Sequence, residues 1–324
     1  MKKFDIANPV PLGQDKTIQL FLRLTAQNKL GHAYIIEGDE GMGKKTLARH
    51  ILKIIMCGTH SACGVCNACR TVESGTHPDI IYISNGDRQS IGIDQIRAVR
   101  DRVFERPLTA QKKAVVIQNA HLLTTQSQNA LLKMIEEPPE YIVFILLCNN
   151  ASKMLQTVMS RVTLIRVNPL SSEQLKQIVP DAPEFMYGYA MGNAGRLSSL
   201  KGDEHFAEIR QNALDALMTL TDKNPYAIYK ATELFGKDRA RNKELTDIMT
   251  LFLRDALFMN LKLGDLIANK DKYSEIEAFC KTFSAKQCQM LAETVMNAQM
   301  ELGKSGNTAI AVQTMFMKCR EVNK

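Results

Sequence analysis

The sequence predicts an α/β fold, a parallel sheet with helices on both faces, followed by an all-helical remainder. Short apolar runs alternate with helical patterns from residue 33 to residue 167, and such alternation is typical of a parallel sheet covered by helices. A glycine-rich loop joins the first apolar run to a helical pattern. After residue 169 the strand-like runs stop, and helical patterns continue to the end of the sequence.

Five apolar runs have the length and composition of buried strands. They cover residues 33–37, 79–84, 114–118, 141–148 and 162–167. Between them lie helical patterns such as residues 94–105, in which Ile96, Val99 and Val103 fall on one face. The α/β part is therefore expected to span residues 1–168.

The helical remainder divides at two breaks. A serine ahead of a glutamate in residues 171–179 is typical of a helix start. The turn at residues 192–195 and the charged segment at residues 201–205 interrupt the helical pattern. We therefore expect a small helical domain over residues 169–205 and a larger one over residues 206–324.

The composition excludes a short peptide or a disordered chain. With 324 residues, of which 45% are hydrophobic, the chain can bury a core in each of two or three domains. The longest apolar runs are far below the roughly 20 residues that span a bilayer, and no apolar segment follows the N-terminal lysines. We expect a soluble, cytoplasmic protein with no membrane partner. The net charge of +7 suits a partner with phosphates but is common in proteins that bind none.

The loop that follows the first strand has the pattern G-x-x-x-x-G-K, and the strand before it and the helix after it are the context that a phosphate-binding loop requires. Gly38, Gly41 and Gly43 let backbone N–H groups surround a phosphate at the N-terminus of the helix. Lys44 is the residue that would contact the outer phosphates. The loop therefore predicts a nucleotide-binding site.

Two departures from a hydrolytic site accompany this loop. Lys45 takes the position of the Ser or Thr that binds Mg²⁺, and Thr46 is rotated by roughly 100° around the helix. The third strand ends in Gln118 and Asn119 rather than in acidic residues, and an amide neither acts as a base nor binds a divalent cation as a carboxylate does. We expect no ATP hydrolysis. Either ATP or ADP binds without turnover, or the loop is an inherited turn that binds nothing.

A group of four cysteines lies within residues 57–69 among glycines and small residues. It consists of Cys57, Cys63, Cys66 and Cys69. Four thiolates satisfy tetrahedral Zn²⁺ and leave no open position for water, so the spacing predicts a structural zinc site. An iron–sulfur cluster and reduced free cysteines are the alternatives. His60 and His77 lie nearby in the sequence and are not expected to be ligands.

Ser160 and Arg161 come directly before the last strand-like run. In ring assemblies driven by nucleotides, an arginine supplied to a neighbouring active site stabilises charge on the γ-phosphate. A single arginine before a strand is also commonly a surface charge. A second basic group has two interpretations as well, contact with DNA phosphates or a solvated helix face. It comprises Arg97, Arg100, Arg102, Arg106, Lys112 and Lys113.

Six short segments, of which Ser160-Arg161 is one, complete a series of motifs. They are His32-Ala33-Tyr34, His77-Pro78-Asp79, residues 93–97 (IDQIR), residues 129–133 (NALLK), residues 136–139 (EEPP) and Ser160-Arg161. Together with the loop and the cysteines, the series resembles the bacterial clamp-loader AAA+ family of DNA polymerase III, closely over residues 13–196 and more loosely beyond. Within that family the gamma/tau subunit has an intact hydrolytic site, which Lys45 and Gln118 contradict, so the chain resembles the non-hydrolysing members.

The resemblance implies an AAA+ P-loop core with an inserted zinc module, a helical lid and a helical collar that joins the subunits into a hetero-pentamer. It implies the gamma/tau and delta subunits, the sliding clamp and primed DNA as partners, within a DNA-directed DNA polymerase (nucleotidyltransferase) complex. It also implies that Arg161, with Ser160, acts in trans on ATP bound by a neighbouring gamma/tau subunit. The family motif continues with a cysteine where this chain has Val162. Asn149 and Arg196 fall at the sensor 1 and sensor 2 positions.

Two other classes of function remain open. An autonomous P-loop ATPase of the gamma/tau kind would use Lys44, and its turnover would be abolished by Lys44→Ala. A zinc-dependent nucleic-acid-binding module would lose DNA binding when the four cysteines are replaced. A structural zinc site would instead lose folding stability.

Overall fold

The computed structural model describes residues 10–222, 224, 226–236, 238–302 and 308–322. Residues 1–9, on which the expectation about a secretory signal depends in part, lie outside the described residues. Within the described part, five strands form one sheet. They are β1 Ala33–Glu37, β2 Ile80–Ile83, β3 Lys113–Ile117, β4 Ile142–Cys148 and β5 Thr163–Arg166.

The α-helices are numbered in chain order. Those before residue 206 are α1 Asp15–Ala26, α2 Lys44–Met56, α3 Asn67–Ser74, α4 Ile93–Phe104, α5 Thr125–Ile135, α6 Gln156–Met159, α7 Ser172–Ile178, α8 Glu184–Ala190 and α9 Ala194–Gly202. Those that follow are α10 Phe206–Met218, α11 Tyr226–Glu233, α12 Arg239–Asn260, α13 Tyr273–Cys280, α14 Ala285–Leu302 and α15 Thr308–Glu321. The described residues after β5 contain no strand, as the sequence predicts.

All five strands run parallel, in the order β2-β3-β4-β1-β5. β1 lies between β4 and β5, and its last residue, Glu37, aligns with Cys148 on one side and with Arg166 on the other. β5 is therefore an edge strand. Each of the five predicted apolar runs forms a strand whose ends lie within one residue of the predicted ends.

Successive residues of β1 pack on opposite faces of the sheet. Tyr34 and Ile36 belong to a core that includes residues of α1 and α2, whereas Ala33 and Ile35 belong to a core that includes residues of α4 and α5. Because both faces are covered, all seven residues of β4 are buried. Burial on both faces is why this strand is a continuous apolar run in the sequence. The predicted α/β class is confirmed.

The chain divides into two compact units. The first contains the sheet, the residues up to Leu175 and the segment Gly192–Arg196. The second contains Lys176–Met191 and the residues from Leu197 onward. The finer division into domains at residues 168 and 205 stays a prediction.

The second unit is helical and has its own core, in which Phe206 and Phe252 are buried. Arg210 is also buried there and donates hydrogen bonds to the side chains of Asn269 and Asp271. A buried guanidinium with a carboxylate and an amide as partners fixes the chain segments that carry them. No helix among the described residues is both long and apolar enough to cross a membrane.

Candidate functional site

The phosphate loop connects the end of β1 to the start of α2. Gly43 has φ +90°, a left-handed conformation that favours glycine, and it directly precedes the first residue of the helix. Lys44 is buried, and its Nζ donates hydrogen bonds to the carbonyl oxygens of Gly38 and Asp39 at 2.6 and 2.8 Å. Burial lowers the pKa of the Lys44 ammonium, and the nearby charges of Asp39 and Glu40 oppose that shift only in part. The lysine thus closes the loop on itself.

The two departures from a hydrolytic site lie together in the structure. Lys45 and Gln118 line one cavity of 260 Å³, beside Arg49 and Glu73. The side-chain amide of Asn119 donates to Asn85 at 3.0 Å, at the end of the neighbouring strand. Neither Lys45 nor Gln118 offers the carboxylate or hydroxyl oxygen that Mg²⁺ prefers, and the carboxylate of Glu73 is already paired with Lys53 and Arg49. These residues do not form a metal site for hydrolysis.

A second segment of the same unit packs directly on the loop. The side chain of Asn193 donates to the carbonyl oxygen of Glu40 at 2.8 Å and accepts from the backbone N–H of Arg196 at 3.0 Å. The backbone N–H of Gly195 donates to the carbonyl oxygen of Gly41 at 3.1 Å. A Cβ on Gly41 would lie 2.6 Å from the Asn193 side chain, so the two segments are in close contact.

The sequence identified residues 192–195 only as a turn, and it offered no signal that Asn193 holds the loop. Arg196, predicted at the sensor 2 position, is brought next to the loop by its backbone. Asn149, predicted at the sensor 1 position, donates its backbone N–H to Nδ1 of His121 at 3.2 Å. Burial lowers the pKa of His121, with the charges of Lys153 and Lys44 acting in the same direction. A histidine that accepts at Nδ1 and is held neutral fits this arrangement.

The four cysteines converge at the ends of α2 and α3. Cys57 follows α2, Cys66 precedes α3 and accepts the backbone N–H of Cys69, and Cys63 lies between them. All four sulfur atoms lie within 4.8 Å of one another, and three of the pairs are 3.7, 3.9 and 4.0 Å apart. A tetrahedral zinc with Zn–S bonds of about 2.3 Å places its sulfurs about 3.8 Å apart. The donors and their spacing therefore fit zinc.

The two histidines near the module in the sequence have other contacts. Nδ1 of His60 lies 3.3 Å from the carbonyl oxygen of Ile54, and Nδ1 of His77 accepts the backbone N–H of Asp79 at 3.1 Å. Among the described residues, the group that could hold a metal contains the four cysteines and neither histidine. Glu73 of α3 forms ion pairs with Lys53 and Arg49 of α2, which hold the module against that helix.

Arg161 lies between α6 and the edge strand β5. Its Nη1 donates to the carbonyl oxygen of Thr157 at 2.9 Å and lies 3.1 Å from Oγ of Ser160, and its Nη2 lies 3.2 Å from Oε1 of Glu136. The side chain is 39% exposed. The structure thus places Ser160 against the arginine that it precedes in the sequence and adds Glu136, which the sequence offered only as part of a motif.

Arg161 and the phosphate loop lie at opposite ends of two neighbouring strands, β5 and β1. Glu37, directly before the loop, aligns with Arg166 at the C-terminal end of β5, whereas Arg161 precedes the N-terminal end of that strand. β5 alone rises about 10 Å from Thr163 to Arg166 at about 3.3 Å per residue, and Arg161 lies in the turn before it. That span exceeds the length of an arginine side chain, so Arg161 does not reach the phosphates of its own loop.

The basic group on and after α4 is only partly a surface. Arg97, Arg100 and Arg102 are exposed, as predicted, whereas Lys113 is buried. Nζ of Lys113 donates to the carbonyl oxygens of Arg102 and Glu105 at 2.7 and 2.9 Å, at the C-terminal end of α4. Helix ends leave such carbonyls without helical partners, and a lysine satisfies them. Lys113 therefore fits neither interpretation of the basic group, because its side chain is buried and bonded to α4.

Comparison with known proteins gives consistent matches. The family model described as DNA polymerase III, delta subunit, matches residues 13–171, and the one described as DNA polymerase III, delta subunit, C terminal, matches residues 204–316. The chain is 25% identical over 320 residues to DNA polymerase III subunit delta' of Bacillus subtilis (strain 168), covering 95% of this chain and 96% of that protein.

Longer proteins match as well. DNA polymerase III subunit gamma/tau of Mycoplasma genitalium (strain ATCC 33530 / DSM 19775 / NCTC 10195 / G37) is 26% identical over 277 residues, covering 78% of this chain and 46% of that protein. Among solved structures, a DNA polymerase III, gamma subunit-related protein from Thermotoga maritima MSB8 is 17% identical with a TM-score of 0.45, covering 95% of this chain and 99% of that chain.

Proposed function

The chain belongs to the DNA polymerase III delta-subunit family, and we propose that it is a clamp-loader subunit of AAA+ type that does not hydrolyse ATP itself. One observation above all supports the proposal that the chain does not hydrolyse ATP. The phosphate loop keeps its glycines and Lys44, while Lys45 and Gln118 line one cavity in place of the metal-binding residues. The loss is confined to the metal site, and ATP or ADP is bound without turnover if it is bound at all.

The chain contributes to catalysis at the active site of a neighbouring subunit. Arg161, supported by Ser160, supplies an arginine to ATP held by an adjacent gamma/tau subunit. The opposite placement of Arg161 and the chain's own loop on the sheet supports action in trans, because no nucleotide on this chain is within its reach. An arginine of this kind stabilises charge on the transferred phosphoryl group.

Family membership supports a set of proposed partners. They are the gamma/tau and delta subunits in a hetero-pentamer, the sliding clamp and primed DNA. Residues 206–324 serve as the collar, and exposed methionines on α14 and α15 offer apolar surface to a neighbouring subunit: Met290, Met296, Met300 and Met317. The polymerase chemistry itself lies on another chain of the complex. The cytoplasm is the expected location.

The cysteine module has a structural role in this proposal. Cys57, Cys63, Cys66 and Cys69 would hold one zinc ion, which crosslinks the end of α2 to the start of α3. Four thiolates leave no site for water, so the ion supplies folding free energy and no reaction.

The test is a complex reconstituted with gamma/tau, delta and the sliding clamp, with Arg161→Ala in this chain. An assembly with several hydrolysing subunits keeps the turnover of its other sites. We therefore expect a partial loss of DNA-stimulated ATP turnover and a larger loss of clamp loading. Arg166→Ala, at the opposite end of β5, is the matched control and leaves both unchanged. Unchanged turnover and loading with Arg161→Ala would refute the trans role.

A further inference from the structure

The guanidinium of Arg161 is held by its own chain before any partner arrives. Nη1 contacts the carbonyl oxygen of Thr157 and Oγ of Ser160, and Nη2 contacts the carboxylate of Glu136. The first two contacts come from the same short stretch as the arginine. The third comes from Glu136, the residue directly after α5, which lies 25 positions earlier in the sequence than Arg161.

These contacts leave part of the Arg161 guanidinium available to a ligand. A guanidinium has five N–H donors; the two hydrogen bonds use both of those on Nη1, and Nη2 forms the ion pair with Glu136. The N–H on Nε has no partner among the described contacts of Arg161, and Nη2 makes no described contact besides its ion pair with Glu136. Two donors are the number that a bidentate pair with a phosphate requires. The side chain is thus both oriented and still able to bind a phosphate.

The ion pair itself is exposed on both sides, with 39% of the Arg161 side chain and 48% of the Glu136 side chain accessible. Pairs this exposed contribute little to fold stability, because water and salt screen them. Such a pair can still orient a side chain. A flexible arginine loses rotamer freedom when it binds a phosphate. A partner that restricts the side chain beforehand reduces that loss.

We propose that Glu136 is a positioning residue that orients Arg161 for the γ-phosphate of the neighbouring subunit's ATP. The inference rests on the proposed function of Arg161. It adds to that function a named residue from the end of α5. Glu137, the next residue, is also exposed and makes no described contact with Arg161, so it is a matched control.

The experiment measures ATP turnover in the reconstituted complex as a function of ATP concentration. The Arg161-dependent part of turnover is the difference between the wild type and Arg161→Ala. We expect Glu136→Ala to lower kcat for that part by about threefold to tenfold, with the KM for ATP unchanged, because the neighbour's own loop binds the nucleotide. Glu136→Gln, whose Oε1 keeps a polar contact with Nη2 of Arg161, recovers most of the loss. Glu137→Ala has no effect.

Combining the variants separates positioning from structure. In the Arg161→Ala background, Glu136→Ala should cause no further loss, because the group that it positions is absent. A further loss in that background, or wild-type or raised turnover with Glu136→Ala alone, would overturn the inference. If Arg161→Ala itself leaves turnover and clamp loading unchanged, the proposed function fails instead. Gel filtration of each complex and thermal unfolding of each chain confirm assembly and folding.

Discussion

Asp79 is a fully buried carboxylate whose role is to hold backbone. Its two oxygens accept the N–H groups of Leu108, Thr109 and Ala110 and the hydroxyl of Thr109. Asp79, the residue directly before β2, therefore fixes the loop between α4 and β3. Charge-assisted hydrogen bonds of this kind are about twice as strong as neutral ones.

Replacing this carboxylate should destabilise the first unit strongly. We expect Asp79→Asn to lower the free energy of unfolding by about 3 kcal/mol, because the amide nitrogen cannot accept the N–H groups that one carboxylate oxygen now accepts. Chemical denaturation at pH 7 measures the difference. Asp87→Asn, at an exposed position, is the control and should change stability by less than about 0.5 kcal/mol.

The stability of the wild type and of Asp79→Asn can also be compared as a function of pH. Burial alone would raise the pKa of the Asp79 carboxyl, but the hydrogen bonds from the loop outweigh it and hold the pKa below the ordinary value of 3.8. The stabilisation is therefore complete well above pH 3.8 and is lost as the pH falls through the lower, folded-state pKa. The stability difference between wild type and Asp79→Asn should shrink in that acidic range. A difference that grows on acidification would contradict this assignment.

At the level of single elements, the cysteine module gives the clearest prediction. Purified chain should contain about one zinc ion, and Cys66→Ser should remove it and lower the Tm by roughly 5 °C or more, because metal binding contributes to folding free energy. Metal analysis and thermal unfolding measure the two effects. Cys280→Ser, in α13 and outside the module, should keep the zinc. Iron and sulfide in place of zinc would contradict the prediction.

The buried Lys113, at the start of β3, is expected to stabilise the end of α4. Lys113→Met keeps the volume but leaves the two carbonyl oxygens at the end of α4 without their donor, so we expect a loss of about 1–3 kcal/mol. Lys112→Met removes an exposed contact with the carbonyl oxygen of Glu140 and should cost less than about 0.5 kcal/mol. Denaturant unfolding compares the two. Equal losses would show that burial of Lys113 has no effect on stability.

The elements that could be predicted are those whose signal is local. Strands covered on both faces must be apolar runs, and the phosphate loop and the cysteine module each lie within a few residues. Lys113 could not be placed, because its partners on α4 are supplied by the fold and its charge suggests a surface position. The contact of Arg161 with Glu136 could not be predicted either, since it depends on where the end of α5 lies relative to β5.

For the whole molecule, we predict that the isolated chain has no ATP turnover. With saturating ATP and Mg²⁺, phosphate release should equal that of buffer, because neither Lys45 nor Gln118 binds the metal as a hydroxyl or a carboxylate does. Lys44→Ala should leave this background unchanged. Turnover that Lys44→Ala abolishes would show an autonomous ATPase and defeat the proposed function.

The class of the first unit and the helical nature of the second could be predicted from the sequence as a whole. That the segment carrying Asn193 packs on the phosphate loop could not be predicted, because an asparagine and an alanine between two glycines are typical of an ordinary turn. The division of the chain into two units likewise depends on contacts between segments far apart in the sequence.

The close approach of Gly41 to Gly195 has a consequence for the history of this site. A site that has lost its chemistry is expected to accumulate substitutions freely, yet a side chain at either glycine would collide with the backbone of the other segment. Natural selection can therefore preserve these glycines for packing alone, whether or not a nucleotide ever binds. Among relatives whose third strand also ends in amides, the two glycines should persist together while the positions equivalent to Lys45 vary.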